Sequence, residues 1–124
     1  RTLRERRYPG MALYAWSSAP ESVPRSTLYS TEIPTEANGW SGQNYTGYRS
    51  ATMDKAIDRI EVECAPETQT ALWQEIQTLY ATDLPALPLY FRANAFVLPL
   101  WLDGVTPTGN QYPSSLWVED WTVK

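Results

Sequence analysis

The chain contains no histidine and a single cysteine, Cys64, among its 124 residues. The missing histidine removes the commonest general base at neutral pH and the commonest metal ligand. A serine nucleophile would then need a lysine as its base, and Lys55 and Lys124 stand in no motif that offers one. A lone cysteine forms no internal disulfide, so thiol usage leaves the redox compartment open. Long apolar runs are also missing, and nothing approaches the roughly 18–20 residues of a membrane span. Basic residues are in the minority, with Lys+Arg 10 against Asp+Glu 14 and a formal net charge of −4. A nucleic-acid binder is normally basic, so no nucleic-acid partner is expected. Phosphate-cradling glycine loops, metal-ligand spacings and nucleophile elbows are absent as well. Neither a metal nor a cofactor is expected, and no catalytic set emerges.

What the chain does have is aromatic rings and stiff turns: six Trp, eight Tyr and ten Pro against six Gly. A chain of this length buries a core without disulfide or metal support. It starts at Arg1, with neither Met nor a signal peptide, and reads as a mature, cut or partial chain. The opening RTLRERRY reads as the end of a solvated helix; a phosphate or lipid patch is the sharper alternative, disfavoured by the acidic balance. GMALYAW, bounded by Pro9–Gly10, reads as a short buried strand. Residues 17–49 are rich in Ser, Thr, Pro, Gly and Asn, too long for an ordinary connection and too aromatic for a disordered one.

Two helices follow. Ser50 is placed to cap a helix whose Met53, Ala56, Ile57 and Ile60 recur at helical spacing and make one apolar face. Asp54, Asp58 and Glu61 fall on a neighbouring stripe that reads as a solvated face rather than an acid–base pair. Pro66 suits the first turn of a second helix with an apolar stripe of Leu72, Ile76, Leu79 and Tyr80, and Pro85 stops it. The short link between them predicts packed neighbours. ALPLYF and AFVLPLWL read as strands, each carrying a Pro and so an edge or a bulge.

The stretch NGWSGQNYTGYRSATMD holds rings and small polar groups but almost no aliphatic residue. Rigid rings with Ser, Asn and Gly make adaptable binding surfaces, although rings in a loop also serve simply to pack it onto its domain. Asn44–Tyr45–Thr46 also fits the N-glycosylation sequon, a triplet that arises often by chance.

In order along the chain, RYPGMALYAW, NYTGYRSATMDKAID, ETQTALWQEIQTLYATDLP, ALPLYFRAN and VLPLWLDGV together resemble the C-terminal part of the peptide- and nickel-type (family 5) extracellular solute-binding proteins of ABC importers. The second is similar to that family's N-x-x-G-Y-x-(N/S) helix start, and the third to its R-x-x-L-(Y/W) helix ending in D-x-P. The resemblance implies an α/β fold: the C-terminal portion of a two-lobed periplasmic binding protein of type II, with a mixed sheet and flanking helices. Residues 1–92 would belong to the second lobe, and 93–124 would return toward a first lobe lying outside this sequence. The implied function is capture of an oligopeptide or similar small polar solute for import, without catalysis, in the periplasm or at the outer face of the membrane. The implied partners are that ligand, the transporter's membrane permease and the first lobe.

Trp16, Ser17, Ser18, Trp40, Asn44, Tyr45 and Arg92 are the ligand-binding residues this reading selects. Where peptide-binding members often carry an Asp, this chain has Ala19, and where they often carry a Tyr, it has Arg92. Both changes favour a carboxylate, phosphate or neutral polar group over a free ammonium; a salt bridge at the lobe boundary is the alternative role for Arg92. Two other functions stay open. One is the sensing domain of a transcription regulator with the same fold, and the other is an independent aromatic binding module.

Overall fold

The computed structural model describes residues 2–91, 93 and 95–124. The chain divides into two compact units, one made of Arg1–Leu13 and Val23–Pro88, the other of Tyr14–Ser22 and Leu89–Lys124. Helices α1 (Arg25–Leu28), α2 (Ala51–Val62) and α3 (Pro66–Asp83) all belong to the first unit, as do short 3-10 turns at Ser30–Glu32 and Glu36–Asn38.

Both long helices form for local reasons. The Ser50 side chain accepts a hydrogen bond from the Met53 N–H, which satisfies an otherwise orphaned donor at the start of α2. Pro66 occupies the first turn of α3, where its missing N–H is no loss. Leu84 ends α3 in a left-handed conformation, just ahead of Pro85. The apolar face of α2 is buried at Met53, Ala56, Ile57 and Ile60, and it meets Leu72 and Ile76 of α3 in one cluster with Leu28 of α1. Leu79 and Tyr80 border that cluster, half-buried. Burying side chains of this size stabilises by about 1.5–3 kcal/mol each, so this cluster is what holds the first unit together.

The acidic stripe on α2 turns out to be a docking rail. The Arg25 Nε–H donates to Glu61 Oε1 at 2.7 Å, and Nη2 donates to Asp58 Oδ1 at 2.5 Å. The guanidinium also lies over the Tyr29 ring at 3.9 Å from its centroid. Tyr29 O–H donates to Asp58 Oδ2 at 3.0 Å, and Ser30 N–H to Asp54 Oδ1 at 2.9 Å. These bonds anchor the long 17–49 connection, which also buries Leu28, Ile33, Pro34, Asn44 and Tyr45. The pairing with Glu61 and then Asp58 raises the pKa of Arg25 above its ordinary value.

The second unit contains a sheet of two strands, β1 (Leu102–Asp103) antiparallel to β2 (Thr122–Val123), with Leu102 opposite Val123. A 3-10 stretch at Ser114–Asp120 precedes β2 and breaks at Trp117. All of the buried residues among those described lie in the first unit.

The expected α/β fold, a mixed sheet with flanking helices, is therefore corrected: among the described residues the regular structure is mainly helix, and the one sheet is a two-stranded pair. GMALYAW, ALPLYF and AFVLPLWL are apolar enough for buried strands, but their described residues lack regular structure up to Leu102. Apolarity selects a strand only when a neighbour satisfies its N–H and C=O groups. Among the described residues only the end of AFVLPLWL finds a strand partner, Leu102 opposite Val123, and Met11, Phe91, Val97 and Leu100 are almost fully exposed. Within the opening stretch, residues 2–7 likewise form a turn rather than a helix end, closed by Arg6 N–H to Leu3 O at 3.0 Å and Arg7 N–H to Thr2 O at 2.9 Å. Among the described residues no helix is long and apolar enough to cross a membrane.

Candidate functional site

The Thr35–Tyr48 loop is built by a succession of local hydrogen bonds. Thr35 and Asn38 form a reciprocal capping box around the 3-10 turn Glu36–Asn38, and the Asn38 amide also donates to Ile33 O at 2.9 Å. The turn ends in the left-handed region at Gly39 (φ +64), and Trp40 follows in the same region (φ +61). Glycine adopts that conformation freely, whereas a bulky L-residue there is strained. The strain is held by Trp40 N–H donating to Thr35 O at 2.8 Å. Two residues on, Gly42 runs so close to the backbone of Glu32 that a Cβ would lie 2.1 Å from its carbonyl oxygen.

Asn44 organises the rest. It is fully buried, and its Nδ2 donates to Tyr29 O at 3.1 Å and Tyr48 O at 2.9 Å. Its Oδ1 accepts from Tyr48 N–H and from Thr46 Oγ1, both at 3.1 Å. The amide nitrogen that an N-glycosylation sequon would present is thus committed to the backbone, and Asn44 acts as a positioning residue for the loop. Tyr48 O–H continues the chain of bonds to Asp83 at the end of α3, 2.5 Å away. Burial, and then this carboxylate, push the Tyr48 phenol above its ordinary pKa.

The loop forms one wall of a pocket of about 550 Å³, lined by Gly39, Trp40 and Tyr45 on that side and by Leu3, Arg4 and Glu5 on the other. The two walls are tied by Tyr8 O–H donating to Tyr45 O at 2.7 Å. All of these residues belong to the first unit. The volume falls within the roughly 300–1,000 Å³ of small-ligand pockets. Trp40 and Tyr45 are thus brought together, and Asn44 holds the turn between them.

Trp16, Ser17 and Ser18 lie in the second unit. Trp16 is 46% exposed and meets Tyr14 edge-on, with ring centroids 5.9 Å apart. It does not end a buried strand. Ser17 and Ser18 are exposed, and their carbonyls accept from the side chain and the backbone N–H of Gln111. Arg92 lies outside the described residues. Sequence reasoning missed the Leu3–Glu5 wall, because a run of arginines reads as solvated surface. The short spacing between Leu3 and the flanking charges carried no sign that Trp40 would come to face them.

Among the described residues, no group of three or more Cys, Asp or Glu could hold a metal ion. Comparison with protein-family models, with curated proteins and with solved structures finds no match for the chain.

Proposed function

We propose that the chain is part of a solute-binding component of an ABC importer, with the pocket at Trp40 and Tyr45 as a contact surface for the solute. The observation that carries this reading is the position of the pocket. It opens on the aromatic loop that runs into NYTGYRS, one of the stretches that carry the resemblance, and two of the residues the resemblance selects for the ligand, Trp40 and Tyr45, line it. Two further features support it. The loop is held rigidly by Asn44 and the capping box, which suits a preorganised contact, and its ring is left lining an open concavity rather than buried in the helix core. The solute is an oligopeptide or similar small polar molecule, bound without chemistry, outside the cytoplasmic membrane. The permease and the first lobe are the proposed partners, and the exposed apolar residues of the second unit, among them Leu89, Phe91, Val97 and Leu100, are the surface offered to that lobe.

An independent aromatic binding module is the second reading. It is favoured by one observation: the pocket is lined entirely by residues of the first unit. Thermal melting against a panel of amino acids, short peptides and sugars tests both. A ligand at a hundred times its Kd stabilises by about 2.7 kcal/mol, and that gain is expected to fall to about 1 kcal/mol in Trp40→Ala. Binding by this chain alone with full affinity supports the module; binding only in the presence of the first lobe supports the importer component. A panel that leaves the melting curve unmoved in both settings contradicts the proposal.

A further inference from the structure

The charged groups around the pocket are unequally committed. Glu5 is ion-paired to Arg7, whose Nε lies 3.0 Å from its carboxylate. Arg25 and Arg59 are likewise paired, with Asp58 and Glu61 and with Glu75. Arg4, which lines the pocket, has no ion-pair partner among the described residues. The uncompensated charge of the lining is therefore a guanidinium, in a pocket whose lining it shares with Leu3, Trp40 and Tyr45. A guanidinium binds carboxylates through two parallel N–H donors, and a flat indole favours a second ring stacked or set edge-on against it.

Resting on the reading of this pocket as a solute site, we propose that it selects a carboxylate carried next to an apolar ring, with Arg4 taking the anion and Trp40 the ring. A free aromatic acid and a short peptide with an aromatic C-terminal residue share this chemistry. Glu5 does not invert the preference toward an ammonium, because Arg7 already occupies its charge. A neutral amide of the same shape keeps the ring contact and loses only the charge-assisted bonds.

Calorimetric titration of the full chain with four probes tests this: phenylacetate, N-acetylphenylalanine, N-acetylphenylalaninamide and phenethylamine. The acids are expected to bind at least about tenfold more tightly than the amide, the difference a pair of charge-assisted hydrogen bonds makes. Arg4→Gln should erase that preference by weakening the acids at least about tenfold more than the amide, and Arg4→Lys should restore part of it. A preference for N-acetylphenylalanine over phenylacetate identifies the peptide terminus as the source of the carboxylate, and the reverse identifies the free acid. If the acid and the amide bind alike and Arg4→Gln changes neither, the charge selection is wrong while the solute-site reading stands, provided Trp40→Ala still weakens both about thirtyfold. Tighter binding of phenethylamine overturns the assignment to Arg4. If none of the four binds at millimolar concentration, the selection falls, and the melting panel decides the solute site separately.

Discussion

Replacing Trp40 by glycine and by alanine separates two roles that a single substitution would confuse. Trp40 sits at φ +61, directly after a left-handed Gly39. Holding a non-glycine residue there costs about 1–3 kcal/mol. The ring is only partly buried and lies outside the helix core, so losing it removes little packing. Trp40→Ala keeps the strain and loses the ring, so it should be neutral or slightly destabilising. Trp40→Gly loses the ring but relieves the strain, at the expense of a more flexible unfolded chain, which returns roughly 0.5–1 kcal/mol. The glycine variant should therefore be more stable than the alanine variant by about 1 kcal/mol, or ~4–8 °C in melting temperature for a unit of this size. Urea unfolding followed by far-ultraviolet circular dichroism reads this without relying on tryptophan emission. In binding the two variants should be equally poor, each weakened about thirtyfold, as expected when an aromatic anchor worth about 2 kcal/mol is removed. The reasoning is refuted if both variants lose ~3–5 kcal/mol of stability, the range for deleting a buried large ring, while the folded fraction binds normally. It also fails if glycine is the less stable of the pair.

Three other substitutions or conditions probe the same framework. Gly42→Ala would drive a Cβ to within 2.1 Å of Glu32 O at a φ of +87, so it should destabilise by at least about 2 kcal/mol and weaken ligand binding together with it, as read by melting curves and titration. Asn44→Ala strands the backbone groups of Tyr29 and Tyr48 that its amide serves, and should lower stability by roughly 2–4 kcal/mol in urea unfolding; a loss under 0.5 kcal/mol would contradict its role as organiser. The hydrogen bond from Arg25 holds the Asp58 carboxyl below its ordinary value, with Tyr29 adding to the effect. A depressed carboxyl contributes stability that is fully present above about pH 4 and is lost as pH falls through the lower folded value. Acid titration of stability should therefore show a limb below pH 4 that flattens in Arg25→Met, and an unchanged limb in that variant would remove Asp58 from the explanation.

How much of this was legible in the sequence depends on the range of the interactions involved. α2 and α3 were readable because their determinants are local: Ser50 and Pro66 at the starts, apolar side chains at helical spacing, and Pro85 past the end. The strands were misread because pairing is non-local. AFVLPLWL has a strand's composition, but only Leu102 finds a partner, in Val123. The acidic stripe is exposed at Asp58 and Glu61 as read, but its pairing with Arg25 was not legible because that partner is remote in sequence. In the candidate site, the rings of Trp40 and Tyr45 stood out by composition. The left-handed conformation of Trp40 did not, since nothing about a tryptophan announces positive φ; it accompanies the left-handed Gly39 and the bond from Trp40 N–H to Thr35 O. The opposite wall, Leu3–Glu5, was hidden because a turn near the start of the chain reaches the loop through tertiary contacts, among them the bond from Tyr8 to Tyr45 and the packing of Arg6 on Gly47.

The central claim, that Trp40 faces a solute, is tested most directly by nuclear magnetic resonance of the indole N–H groups. The chain has six tryptophans, and Trp40→Phe identifies the resonance of interest by its disappearance. The chain is then titrated with N-acetylphenylalanine and with a pool of short peptides. The account predicts a saturable shift centred on the Trp40 resonance, with Trp73, which borders the helix core, left in place. A saturable shift confined to other indoles while Trp40 stays fixed, or no shift in any of them at millimolar ligand, would contradict it.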